Sequence, residues 1–174
     1  IDVGDNGIAV SLYHADDNSI ILNDDAAITS NYIGVKFGAS GNASLTLNNN
    51  ASVDADDFAV DITLTSSADV ILYDNARLIS RADEGAGIRM NVSGDSGIEL
   101  HDNSAILTYG DQSHGIEVIN SSNSSYIQLN DNSQITTAGA DADGIHIAGS
   151  VDTEIVLNGG DISASRYGIH LEAN

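Results

Sequence analysis

The chain has no cysteine and no proline, and only five of its 174 residues are Lys or Arg. Without cysteine there is no disulfide framework and no thiolate metal site, and such a chain suits passage through an oxidising compartment. Against the five cations stand 26 Asp and Glu, for a formal net charge of -21 and a pI near 4.1. That balance excludes nucleic acid and anionic membrane surfaces as partners. Each would repel the chain at long range, and no basic patch exists to neutralise phosphates. No run of 18 apolar residues occurs, so this segment is not expected to insert into a membrane directly. A sustained 3.6-residue period is also missing, so no helix is predicted. Acidity of this degree would suit a disordered tail, but 41% of the residues are hydrophobic and Ile, Val and Leu recur in register. The chain reads as a single folded segment over 1–174.

The recurrence is a repeat. A Gly-apolar-x-apolar element appears as "GIAV" (7–10), "GVKF" (34–37), "GIRM" (87–90), "GIEV" (115–118), "GIHI" (144–147) and "GIHL" (168–171), with "AVDI" (59–62) filling the remaining slot. A second element follows each time: "IILN" (20–23), "LTLN" (45–48), "VILY" (70–73), "IELH" (98–101), "IQLN" (127–130) and "IVLN" (155–158). A third carries one apolar anchor, Ile28, Val53, Leu78, Ile106, Ile135 or Ile162. All three alternate with period two, the pattern of a strand. The repeat length wanders over about 24–29 residues, in the range of solenoids.

Three short strands per repeat predict an all-β fold, a right-handed parallel β-helix of about six three-stranded coils; the hand follows from the usual sense of parallel crossovers. At ~4.8 Å per coil the rod is roughly 29 Å long. Two inward columns are expected, Ile8, Val35, Val60, Ile88, Ile116, Ile145 and Ile169, and Val10, Phe37, Ile62, Met90, Val118, Ile147 and Leu171. Between them runs an outward column, Ala9, Lys36, Asp61, Arg89, Glu117, His146 and His170. Its charges alternate in sign over four coils, as in a stabilising cross-strand ladder. His146 and His170 are outward neighbours able to share an adventitious metal.

The spacing between the second and third elements is nearly constant, which implies one corner geometry stacked on itself. That corner holds "NDD" (23–25), "NNN" (48–50), "YDN" (73–75), "HDN" (101–103), "NDN" (130–132) and "NGG" (158–160). Asn and Asp tolerate left-handed backbone and bond neighbouring amides, so a tight turn with an Asn ladder is expected. Asp74, Asp102 and Asp131 would stack one above another. Calcium could relieve their repulsion, although neither an EF-hand loop nor a calcium nonapeptide is present. The return to the next glycine lengthens in three successive coils, adding "RADEGA" (81–86), "YGDQSH" (109–114) and "AGADAD" (138–143). Insertions stacked on one edge mark the variable, binding side of a solenoid.

Catalytic signals are weak. The tripeptide "SHG" (113–115) is similar to the His-Gly motif of polygalacturonases, which are parallel β-helix enzymes, but their "NTDG" motif and paired carboxylates are missing. His114 stands in the slot before the glycine that Phe58, Asp143 and Tyr167 fill elsewhere. Five Asn-x-Ser triplets, at Asn42, Asn50, Asn91, Asn120 and Asn123, are read as a product of composition.

The stretches "NGIAV", "IILNDDAAITS", "SGIELHDNSAILTYG", "HGIEV", "IQLNDNSQITTAGADADGIHIAGS" and "IVLNGGDISASRYGIHL" resemble coils of a type V autotransporter passenger, the pertactin-like β-helices of Gram-negative surface proteins. The resemblance implies a secreted or surface-exposed segment of a longer rod, with a signal peptide before it and an outer-membrane barrel after it. It also implies a non-enzymatic role in adhesion, self-association or biofilm formation, with a host-surface receptor or another copy of the chain as partner and no cofactor. Family members that self-associate use ladders of Asn, Asp and Thr. The matching positions are Asp102, Asn103, Asn130, Asp131, Asn132 and Thr136, with the long-edge residues Asp83, Glu84, Asp111, Asp141 and Asp143 as a second face. A spacer, a polysaccharide-degrading enzyme and a phage tailspike piece are the alternatives.

Overall fold

The computed structural model of the chain describes residues 1–4, 7–13, 16–38, 41–63, 65–119, 123–149 and 152–172. Asn120, one of the Asn-x-Ser positions, lies outside them. Among the described residues there is no helix, and the strands form three sheets in which every strand pair is parallel. Each strand pairs with the strand three places further along, so the chain is a parallel β-helix, a solenoid of about six turns with three strands per turn. The glycine sheet contains Ile8–Leu12, Ile33–Gly38, Phe58–Thr63, Ala86–Asn91, His114–Ile119, Ile145–Ala148 and Ile169–Glu172. The second sheet contains Asn18–Leu22, Asn42–Leu47, Ser67–Leu72, Ser96–Leu100, Ser124–Asn130 and Asp152–Asn158. The anchor sheet contains Asp2–Val3, Ala27–Ser30, Ser52–Ala55, Arg77–Ser80, Ala105–Thr108, Gln134–Thr137 and Asp161–Ser163.

One core fills the space between the sheets. Its columns are the alternating apolar positions of the repeat: Leu47, Leu72, Leu100 and Leu129 from the second sheet, Val53, Leu78, Ile106 and Ile135 from the anchor sheet, and Ile62, Met90 and Val118 from the glycine sheet, all fully buried. Burying each such side chain contributes roughly 1.5–3 kcal/mol.

The register departs from expectation in the first coil. Ile8 pairs with Ile33 and Val10 with Val35, so Leu12 rather than Val10 lies beside Phe37, and Ser11 rather than Ala9 is the neighbour of Lys36. The slip moves two residues to the other face: Ile8, expected inward, packs with Ile33, Phe58 and Ala86 in a small cluster apart from the main core, and Ala9, expected outward, packs against that core. From Lys36 onward the outward column is as expected, pairing Lys36 with Asp61, Asp61 with Arg89, Arg89 with Glu117, Glu117 with His146 and His146 with His170.

The corner between the second and anchor sheets repeats one conformation. Asp24, Asn49, Asp74, Asp102 and Asp131 have φ of 57°, 60°, 58°, 58° and 58°, and Gly159 takes the equivalent place at 100°. A short polar side chain that bonds locally suits this left-handed position. A second left-handed column runs along the long edge, at Glu84, Gln112 and Asp141, with φ of 60°, 56° and 55°.

Candidate functional site

The corner ladder is a surface stack of amide and carboxylate groups. Asn48, Asn49 and Asn50 donate side-chain amides to Asn23, Asp24 and Asp25 at 2.8, 3.1 and 2.9 Å. The chain of bonds continues from Asn75 to Asn50 (3.2 Å), Asn103 to Asn75 (3.5 Å) and Asn132 to Asn103 (3.4 Å). The stacked aspartates are satisfied differently. The carboxylates of Asp74, Asp102 and Asp131 accept the backbone N–H of Asn49, Asp74 and Asp102 at 3.1, 3.2 and 3.4 Å. Each carboxylate therefore caps the neighbouring coil, and amide dipoles oppose the repulsion within the stack. Asn130 accepts side-chain bonds from Gln128 (2.7 Å) and Asn158 (3.1 Å). Thr136 lies on the anchor sheet between Leu107 and Ser163, partly exposed.

Along the long edge Asp83, Glu84, Asp111 and Asp141 are exposed. Asp83 accepts the Asp111 N–H and Asp111 accepts the Ala140 N–H, both at 2.8 Å. Asp143 does not belong to this surface. Its side chain is fully buried, held by Arg166, His170 and the Tyr167 N–H of the next coil.

That outer face carries the densest electrostatics of the molecule. Asp61 is fully buried between Lys36 and Arg89. Arg89 Nε donates to its Oδ1 at 2.9 Å, and Lys36 Nζ lies 3.1 Å from Oδ2, an ion pair off the angle of a hydrogen bond. The Arg89 guanidinium also lies 3.6 Å from the ring centroid of Phe58. Burial pushes the Asp57 carboxyl up to about 6, with Asp61 adding to the shift and Arg89 and Lys36 opposing it. Burial also raises the Glu117 carboxyl, against the pull of Arg89.

Further along the same face the sheet register gathers His114, Asp143, His146, Arg166, Tyr167, His170 and Glu172. Arg166 grips Asp143 through two bonds of 2.7 and 2.5 Å, and Tyr167 N–H adds a third at 3.2 Å. Burial works to raise the Asp143 carboxyl, but bonds from Arg166 and His170 outweigh it and hold the group down at about 2. His114 Nδ1 accepts the Asp143 N–H at 3.0 Å. Burial, reinforced by His146, lowers the His114 imidazole to about 4. Gln112, His114, Asp141 and Arg166 line a groove of about 370 Å³ beside it.

A pH effect follows from these two groups. An imidazole whose value drops from 6.5 to about 4 on folding stays neutral while the unfolded chain gains a proton. Its contribution is complete above pH 6.5 and is lost as pH falls to about 4, by roughly 3 kcal/mol at most. Asp143 adds a further loss below its unfolded value of 3.8, down to about 2. Asp57, raised to about 6, works the other way and gains stability as it protonates. The His114 share is therefore expected in the difference between wild type and His114→Gln. Thermal unfolding followed by circular dichroism should show a smaller drop from pH 7 to pH 4.5 in the variant.

Sequence reasoning placed His146 and His170 side by side and treated His114 and Asp143 as ordinary members of the pre-glycine slot. The missed signal was their common register. His114 and Asp143 are adjacent in that column, and Arg166 flanks Tyr167, the next member. Among the described residues, the groups of three His, Asp or Glu with ligand atoms mutually within 4.8 Å are His114–Asp143–His146 and His146–His170–Glu172. The Asp74, Asp102 and Asp131 stack is not one of them.

The fold and faces define a parallel β-helix with polar lateral ladders. No protein-family model, curated protein or solved structure matches the chain.

Proposed function

We propose that the chain is a length of an autotransporter passenger that acts at the surface of a Gram-negative bacterium as a non-enzymatic adhesive or self-associating rod. It would be held there by a barrel outside this segment. The observation that carries this reading is the corner ladder, in which Asp102, Asn103, Asp131 and Asn132 stand exposed and stacked at coil spacing. The Asp-Asn pair recurs in three successive coils, at Asp74-Asn75, Asp102-Asn103 and Asp131-Asn132, so a receptor or a second copy can engage it over several coils at once. Amides with both donor and acceptor character also suit contact between identical ladders. The acidic long edge at Asp83, Glu84, Asp111 and Asp141 is the second face available. The state of His114 supports a non-catalytic role, because one ring nitrogen is occupied by a backbone amide and the neighbouring Asp143 is locked by Arg166.

A spacer role has its own support. Many ladder groups already bond to the adjacent coil, which serves rigidity as well as recognition. Sedimentation velocity separates the two. With a net charge of -21, self-association is expected to strengthen with concentration and with moderate salt, which screens repulsion. Asn103→Lys with Asn132→Lys should abolish it. If the chain stays monomeric at every salt and calcium concentration and captures no host-surface receptor, the adhesive reading fails and the spacer stands. Association lost with chelator, restored by calcium and not by zinc, and absent in Asp102→Asn with Asp131→Asn would assign calcium to the Asp74, Asp102 and Asp131 stack.

A further inference from the structure

We propose that His146, His170 and Glu172 form a binding site for a divalent transition-metal ion, with zinc the ion whose ligand chemistry they match. Glu172 Oε1 lies 3.6 Å from His146 Nε2 and 3.7 Å from His170 Nε2. Ligands about 2.0–2.1 Å from a tetrahedral zinc lie roughly 3.3 Å from one another, so a small inward movement completes the set. The two imidazoles are stacked, with centroids 5.1 Å apart and planes 14° apart, and both Nε2 atoms lie near the same Glu172 oxygen.

Two features separate this cluster from a chance gathering of polar side chains. His146 is mostly buried, and neither of its ring nitrogens has a hydrogen-bond partner among the described residues. A buried polar atom left without a partner is costly, and a metal ion supplies one. His170 is oriented by Asp143, whose Oδ2 sits 3.0 Å from Nδ1. A bond there places the proton on Nδ1 and leaves Nε2 free to ligate, the carboxylate–histidine arrangement of metal sites. Arg166 Nη2 approaches the same Nδ1 at 3.3 Å but is directed at Asp143 Oδ2 at 2.5 Å, so its charge is neutralised locally.

The overlapping trio of His114, Asp143 and His146 is a poorer ligand set. Asp143 is already occupied by Arg166, His170 and Tyr167, and His114 Nδ1 holds a backbone amide. Asp143 is a positioning residue in this scheme, and His114 packs edge-on against His146 with centroids 4.7 Å apart. Two imidazoles favour zinc, nickel or copper over calcium or magnesium, which take oxygen ligands. Three protein ligands leave a fourth coordination position for water or for a group of a partner.

Titration of the chain with zinc chloride against a chromophoric chelator tests the site. One zinc per chain is expected, with calcium unable to displace it. His146→Ala and Glu172→Gln should each weaken binding at least ~10-fold, and Asp143→Asn should do so by a comparable factor through His170. Far-ultraviolet circular dichroism checks that each variant is folded. His101→Ala should leave zinc affinity unchanged, because that ring stacks on Tyr73 on another face and bonds Glu99. X-ray absorption of the zinc-loaded chain should show two imidazoles and a carboxylate. Absence of saturable zinc binding by the folded chain, or full affinity in His146→Ala, overturns the proposal.

Discussion

Replacing Arg89 with Met is expected to destabilise the chain by about 3 kcal/mol, far more than loss of a surface ion pair. Arg89 does three things at once on the outer face of the glycine sheet. It donates to Asp61 Oδ1 at 2.9 Å, covers the Phe58 ring at 3.6 Å and offsets the burial of Glu117. Asp61 is the critical partner, because its side chain is fully buried while Arg89 and Lys36 retain 28% and 20% exposure. Without Arg89, Oδ1 is left buried and unpaired, and Lys36 alone must balance the charge. Met preserves most of the apolar cover over Phe58, so the deficit reports mainly the stranded carboxylate. A fall of roughly 10 °C in the thermal midpoint corresponds to this loss in a chain of such size. Arg89→Lys should fall between, since an ammonium restores charge but not the flat stacking on Phe58. A loss below about 1 kcal/mol would put Asp61 among ordinary surface pairs and refute the assignment.

Gly115→Ala is expected to destabilise by about 1–3 kcal/mol although it adds a single methyl group. A Cβ at this position would lie 2.3 Å from Ile135 Cγ2 and 2.5 Å from the Gly144 carbonyl oxygen. The same collision recurs along the column: Gly34 meets Val53 Cγ1, Gly87 meets Ile106 Cγ2 and Gly144 meets Ile162 Cγ2, each at 2.2 Å. In every case the opposing side chain is the β-branched anchor that follows in the same repeat. Ala59 is the informative exception. The anchor that follows it in the same repeat is Leu78, which has no branch at Cβ. Ala9, which the observed first-coil register sets beside Gly34, is only partly buried. A glycine is thus needed where a branched anchor presses inward. Ile135→Leu is therefore expected to recover part of the loss in the Gly115→Ala background, measured as non-additive shifts in chemical denaturation. Strict additivity would show that the methyl clashes with backbone alone.

The amino-acid sequence by itself determined the repeat, the parallel three-sheet solenoid and the core columns from the second coil to Ile145 and Ile147, whereas Ile169 and Leu171, expected inward, are exposed. Period-two alternation allows only one face of each strand to be apolar, and coils of near-constant length leave little choice of partner. It also specified the corner, because Asn and Asp at a fixed place in each turn answer a demand for left-handed backbone that Asp74, Asp102 and Asp131 meet with φ of 58°. The ladder from Lys36 to His170 was readable for the same reason. The first-coil register was not, since "IAVSL" alternates equally well two residues out of step.

Burial on the outside of the solenoid was decided by tertiary structure alone. Asp143 looks like one more acid in "AGADAD", yet Arg166, Tyr167 and His170 from the next coil close over its carboxylate. The histidine cluster has the same origin. Its members come from separate coils, and sequence spacing places them on one face without stating how the rings turn or which nitrogens remain unpaired. Periodicity encodes the side of the sheet on which a residue lies. Exposure there depends on what the neighbouring loops cover, and chemistry depends on side-chain orientations set by packing across coils.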